Sequence, residues 1–183
     1  MNKALKVMLL AGGFSKIAAM MFSPIYAIFV QDIGGGILEA GYAVALYAFV
    51  TGILMYFFGK KEDLMKEPEL AIVLGYIITG LAYIGYIFVS SFVHLLLIQV
   101  LLGLASAIGS PAYDGVYSIH LSKGKAASGW GSWEMMASFI TGFGALAGGL
   151  LVAVGSFSLM FFVMGCFMFI AALIIYFQPR QLL

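Results

Sequence analysis

Residues 7–30 read VMLLAGGFSKIAAMMFSPIYAIFV, and Lys16 is the one charge among them. A helix rises about 1.5 Å per residue, so about 20 residues cross the roughly 30 Å hydrocarbon core of a bilayer. The stretch is long enough to cross, and too long for the roughly 7–15-residue apolar core of a signal peptide. It is read as a retained span. Five further apolar runs follow at 40–58, 70–89, 92–112, 133–154 and 157–177. The expected fold is all-α: a polytopic membrane protein with six transmembrane helices forming a single domain over residues 1–183. The short connections leave no room for a soluble domain.

Composition agrees. Hydrophobic residues make up 63% and charged residues 9%, where a soluble domain carries about 25% charged; mean hydropathy is +1.09. The net charge of +1 says nothing about nucleic acid, and no basic cluster suggests it, so no nucleic-acid partner is expected. Cys166 is the only cysteine, so no intrachain disulfide can form.

The lysines set the orientation. Lys3 and Lys6 precede the first run, Lys60, Lys61 and Lys66 follow the second, Lys123 and Lys125 follow the fourth, and Arg180 follows the sixth. The other three connections hold no lysine or arginine. By the positive-inside rule both termini are expected in the cytoplasm, in a cell (plasma or inner) membrane.

Ser23-Pro24-Ile25-Tyr26 recurs as Ser110-Pro111-Ala112-Tyr113 near the ends of the first and fourth runs. Those runs point in opposite directions, so the recurrence suggests an inverted repeat of three helices plus three. Each proline should kink or stop its helix.

Polar and small residues mark faces. In the fourth run Gln99, Gly103, Ser106, Ser110, Tyr113, Tyr117 and His120 follow the helical spacing of one continuous face, either a wet cavity wall or close helix packing. In the second run Gly41, Ala45, Ala48 and Gly52 form a row of small residues. Ala137, Thr141, Gly144 and Gly148 repeat that spacing in the fifth. Such rows mark close helix contacts, within or between chains. Trp130, Trp133, Tyr113 and Tyr117 read as an interfacial aromatic belt.

Lys16 lies within the first span. A charge there costs about 2.5–3.5 kcal/mol on insertion scales. It is a candidate for substrate contact or charge coupling, with snorkelling to the interface and a structural ion pair as alternatives. Glu134, at the start of the fifth helix, is its natural partner or else an acid favoured by the helix dipole. No enzyme is expected: His94 and His120 fall near opposite membrane faces, and no metal cluster, nucleophile–base pair or phosphate loop appears, nor any cofactor motif.

Three segments resemble the N-terminal half of a major facilitator superfamily transporter. Gly59-Lys60-Lys61-Glu62-Asp63-Leu64-Met65-Lys66 is similar to the family's G-x-x-x-D-R-x-G-R-R loop, with Leu64 in place of arginine. Gln99-Val100-Leu101-Leu102-Gly103 is similar to R-x-x-Q-G, with Gln99 in place of arginine. Gly144-Ala145-Leu146-Ala147-Gly148-Gly149 is similar to G-P-x-x-G-G, with Ala145 in place of proline.

The resemblance implies a secondary active transporter of a small solute, working by alternating access. Family members usually have twelve helices. Six imply a homodimer of half-size chains or a fragment, and the initial Met and the stop after the sixth helix favour the former. Helices one and four would line the cavity, with parts of two and five, while three and six would lie outside. Lys16, Ser23, Gln99, Ser106 and Ser110 would contact the solute, which paired lysines would suit if it is anionic or rich in hydroxyls. Glu134 and Asp114 would carry protons or balance charge, and Gly59 and Asp63 would form the gating loop. The row Gly41, Ala45, Ala48 and Gly52 would meet Thr141, Gly144 and Gly148 of a second copy. The expected partners are therefore a second copy, the bilayer, a small-molecule substrate and protons. The alternatives are a drug/proton-type exporter with an apolar cavity, and a non-transporting membrane module for assembly or sensing, marked by a dry interior with Lys16 paired.

Overall fold

In the computed structural model, which describes residues 3–179 and 182, all six runs are helices of membrane-spanning length. The first run is divided. Helix α1 (Lys3–Phe22) gives way to a 3₁₀ turn at Ser23–Ile25 and resumes as α2 (Tyr26–Asp32). Pro24 is the cause: it has no N–H to donate, and its ring displaces the carbonyl four residues back. The remaining spans are α3 (Ile37–Glu62), α4 (Glu69–Gly85, extended by a 3₁₀ turn at Tyr86–Phe88), α5 (Phe92–Ile119), α6 (Ala126–Val154) and α7 (Phe157–Tyr176).

Two boundaries depart from the sequence expectation. Pro111 does not stop α5, which continues for two more turns to Ile119. One missing N–H is tolerated where neighbouring helices hold the segment. Helix α6 begins at Ala126, about two turns before the expected 133, because polar first turns of a span escape an apolarity test. Arg180 lies outside the described residues.

Local chemistry explains the other ends. The Ser91 and Ser156 hydroxyls accept from the His94 and Leu159 backbone N–H groups at 3.4 and 3.2 Å and cap α5 and α7. Gly34 and Gly124, at φ +83° and +73°, turn the chain where a Cβ would be strained.

The helices pack in the order α6, α1, α7, α4, α5, α3, each against its neighbours in that series, while α1 and α5 scarcely meet. Two apolar cores lie behind the gap between them. One gathers Met8, Ile72, Val116 and Ile175 near the lysine-bearing ends. The other gathers Phe22, Phe29, Tyr86 and Phe161, whose rings meet edge-to-face or stacked at 4.8–5.6 Å and fix the break at Pro24. Helices α3 and α6 flank the gap and are the least buried spans. Phe49, Ile53 and Phe57 on one, and Phe139, Phe143 and Leu146 on the other, face outward as lipid does in a bilayer.

Candidate functional site

Between α1 and α5 lies a cavity of about 670 Å³. Packing order makes it: α7 and α4 fill the space behind α1 and α5, but among the described residues nothing fills the space between them. Lys16, Ser23, Gln99, Ser106 and Ser110, the five residues expected to contact a solute, all line it, as does Asp114. They come from the first span and from α5, which α7 and α4 separate in the packing series, and only the fold brings them together.

Each is held differently. Gln99 is buried, and its amide nitrogen donates to the Tyr26 and Tyr86 hydroxyls at 2.9 and 3.0 Å. It therefore ties α2, the end of α4 and α5 together at one point, keeping its amide oxygen as the remaining acceptor. Ser106 and Ser110 lie one turn apart with their hydroxyls 3.3 Å from each other. Lys16 is half-buried and Asp114 exposed. Among the described residues neither has an ion-pair or hydrogen-bond partner, so both charges face the cavity uncompensated.

The stripe on α5 divides. Gln99, Ser106, Ser110 and Tyr113 line the cavity. Gly103 instead receives α3: the Tyr47 carbonyl and Val50 pack on it, and the Thr51 hydroxyl donates to its carbonyl at 3.4 Å. Tyr117 turns inward and donates to the Gly129 carbonyl at 2.8 Å.

Several expectations are corrected. Helix α4, expected outside the cavity, supplies Tyr76, Thr79, Tyr83 and Tyr86 to its wall. With Tyr26, Tyr47 and Tyr113 this makes a lining of six tyrosines, of which only Tyr113 was expected on a cavity wall from the sequence. Its signal was present, because 76, 79, 83 and 86 follow the same helical spacing as the stripe on α5. Glu134 is exposed on α6, does not line the cavity and makes no ion pair with Lys16.

The aromatic group near the lysine-bearing ends is interior packing rather than a belt. Tyr113 and Tyr117 are buried. Tyr113 donates to the Met8 carbonyl at 2.9 Å, and its ring lies 5.4 Å from that of Trp133; Trp130 lies 4.9 Å from Tyr117. The cluster joins α1, α5 and α6 at that end, and Gly12 provides the space for Tyr113 and Trp133.

Gly144 and Gly148 do not face outward. Helix α1 fills both: a Cβ on Gly144 would lie 2.9 Å from Met20 Cβ, and one on Gly148 would run into the Met21 carbonyl. Thr141 is exposed, its hydroxyl bonded to the Ala137 carbonyl at 2.8 Å. On α3, Gly41, Ala48 and Gly52 are exposed, with open space beside the two glycines, and Ala45 is half-buried. Gly59 sits against Pro111, and Asp63 is exposed just after α3.

Comparison with known proteins gives a consistent family. The model of the Major Facilitator Superfamily matches residues 8–182. One relative, an uncharacterised MFS-type transporter of Methanocaldococcus jannaschii, is 25% identical over 160 residues, covering 87% of this chain and 41% of its own length. A second protein of that description from the same organism is 29% identical over 65 residues, 36% of this chain and 16% of its own. The chain thus spans less than half the length of these relatives.

Proposed function

The chain belongs to the Major Facilitator Superfamily, a multi-pass membrane family of transporters, and from that premise we propose that it moves a small solute by alternating access, as one of two identical six-helix halves. The observation that carries this reading is the cavity between α1 and α5, with Lys16, Ser106, Ser110 and the Gln99 amide on its wall. A wall of this kind closes around a solute only when a second six-helix unit faces it. The uncompensated Lys16 suits a solute with an anionic group, and the tyrosine hydroxyls add hydrogen bonds to a hydroxyl-rich one. Asp114 is the acid placed to couple solute to proton. The solute, not a reaction, is what the site handles, so no enzymatic role is assigned. A non-transporting module would have Lys16 paired in a filled interior; the unpaired Lys16 on a cavity wall favours transport.

The packing order supports the inverted repeat. Exchanging the first three spans with the last three leaves the series α6, α1, α7, α4, α5, α3 unchanged when read from its other end. The Tyr113–Met8 and Tyr117–Gly129 bonds draw the lysine-bearing ends together on one side; that this side is the cytoplasmic one follows from the lysines alone. A second copy would dock along the open row of α3. On α6 the small residues left free by α1 are Ser138, Gly142, Ala145 and Gly149, one position along from the row the sequence suggested. The exposed Asp63 would then reach the start of the partner's α6.

Reconstitution into proteoliposomes, challenged with a panel of small organic anions and polyols under an imposed pH gradient, tests the proposal. Uptake abolished by Lys16→Ala is expected; failure of every solute to move, or uptake indifferent to Lys16→Ala, would overturn it. Ala48→Cys with Ala145→Cys should cross-link between chains, and exclusively intrachain links would remove the dimer.

A further inference from the structure

Helix α3 ends on an acid that the cavity does not use. Glu62 is its last residue and is 8% exposed, and both carboxyl oxygens are enclosed by protein without a hydrogen-bond partner. The seam between α3 and α5 encloses it. One turn earlier Gly59 rests against the Pro111 ring. Beside Glu62 itself lies the backbone of Ala112, an electrostatic neighbour that favours the charged form of the carboxyl group, although neither carboxyl oxygen has a partner at hydrogen-bond distance and angle.

The surrounding charges do not compensate it. Asp63, adjacent on the same chain, has the same sign. Lys60 is engaged elsewhere: its ammonium bonds the Tyr56 hydroxyl at 2.7 Å and lies 4.1 Å above that ring. Lys61 and Lys66 are exposed. On α5, Tyr113 is spent on the Met8 carbonyl, and Asp114 is another acid. Among the described residues no cation pairs with Glu62. Glu69, as buried as Glu62, has a different setting in the first turn of α4, where the helix dipole favours negative charge, and its oxygens are not enclosed without a partner.

An ionised carboxylate enclosed without a cation, and with no donor in hydrogen-bond geometry, is costlier than the neutral acid, and a group in that position can resolve the conflict by holding a proton. We propose that Glu62 is a proton-binding site. It is a neutral carboxylic acid while α3 lies against α5, and it gives its proton to water, leaving the carboxylate, when that seam opens. Proton occupancy is then linked to the α3–α5 contact at the base of the 63–68 loop. Acid closes the seam and alkali loosens it. The inference does not depend on the transport reading or on a second copy.

Infrared titration of the full chain in lipid nanodiscs tests this directly. At neutral pH the spectrum should contain the carbonyl band of a protonated carboxylic acid that disappears on alkalinisation. The band should be lost in Glu62→Gln and kept in Glu69→Gln. Labelling the unmodified protein with carboxyl-¹³C glutamate should shift it, which identifies a glutamate without relying on any variant's folding. Thermal unfolding gives an independent check. The folded state holds a proton that the unfolded chain releases above about pH 4.3, so stability should fall as pH rises, and Glu62→Gln should flatten that slope. A spectrum without a protonated glutamate at neutral pH, or a band unchanged by Glu62→Gln, would overturn the proposal.

Discussion

Helices α3 and α6 carry small residues at the same spacing and use them in opposite ways. On α6, Gly144 and Gly148 are the contact: α1 lies so close that a Cβ would strike Met20 and the Met21 carbonyl. On α3, Gly41 and Gly52 face open space, and its own attachment is made by a glycine of the other helix, Gly103 of α5. Lipid tails provide no hydrophobic push between helices, so each approach depends on removing side-chain bulk from one side of the contact. Which helix gives up the bulk is not legible in either row. The difference teaches that a row of small residues marks where a helix can be approached, not which neighbour approaches it.

The sharpest way to break this comparison is Gly148→Leu. A full side chain against the α1 backbone has nowhere to go, and the expected result is loss of folded protein, read as the monodisperse fraction in mild detergent. Normal yield would mean that α1 and α6 are not in contact. Gly144→Ala and Gly103→Ala come next. Each places a methyl at 2.9 Å from a neighbour, and each should cost about 1–3 kcal/mol of unfolding free energy by denaturant titration. A cost confined to one of them would show that only one of the two seams is tight. Gly52→Leu should leave the stability of the single chain within about 0.5 kcal/mol, since it adds bulk to open space. It should abolish association of two copies if α3 is the docking face, which mass photometry would read. The smallest effect belongs to Thr51→Ala. Its bond to the Gly103 carbonyl is long, and the change should cost no more than about 0.5 kcal/mol.

The site was legible in part, for a physical reason. Residues that must be polar inside a bilayer are rare enough to stand out, so Lys16, Gln99, Ser106 and Ser110 could be named from sequence, and all four line the cavity. Tyrosine carries no such contrast, being at home in cores, interfaces and cavities alike. Tyr76, Tyr83 and Tyr86 were therefore passed over, although their spacing matched the stripe on α5. Glu134 misled because acidity and proximity to a helix start were visible, but the direction of its side chain was not. Glu62 escaped notice inside a loop motif, since in sequence it is one of several charges beside Lys60, Lys61 and Asp63; only the seam with α5 separates it from water.

The sequence by itself determined six spans, their alternation, the membrane as solvent, and a helix break at Pro24. These follow from length, hydropathy and local backbone chemistry, which act along the chain. Tertiary structure alone decided that α1 and α5 stand apart while α4 lines the gap, that Gly148 faces inward while Gly52 faces out, and that the Glu62 carboxyl oxygens are enclosed without a hydrogen-bond partner. Those outcomes depend on which faces of neighbouring helices meet, and a rotation of a helix by one residue position, about 100°, exchanges a buried row for an open one without changing the composition of the span.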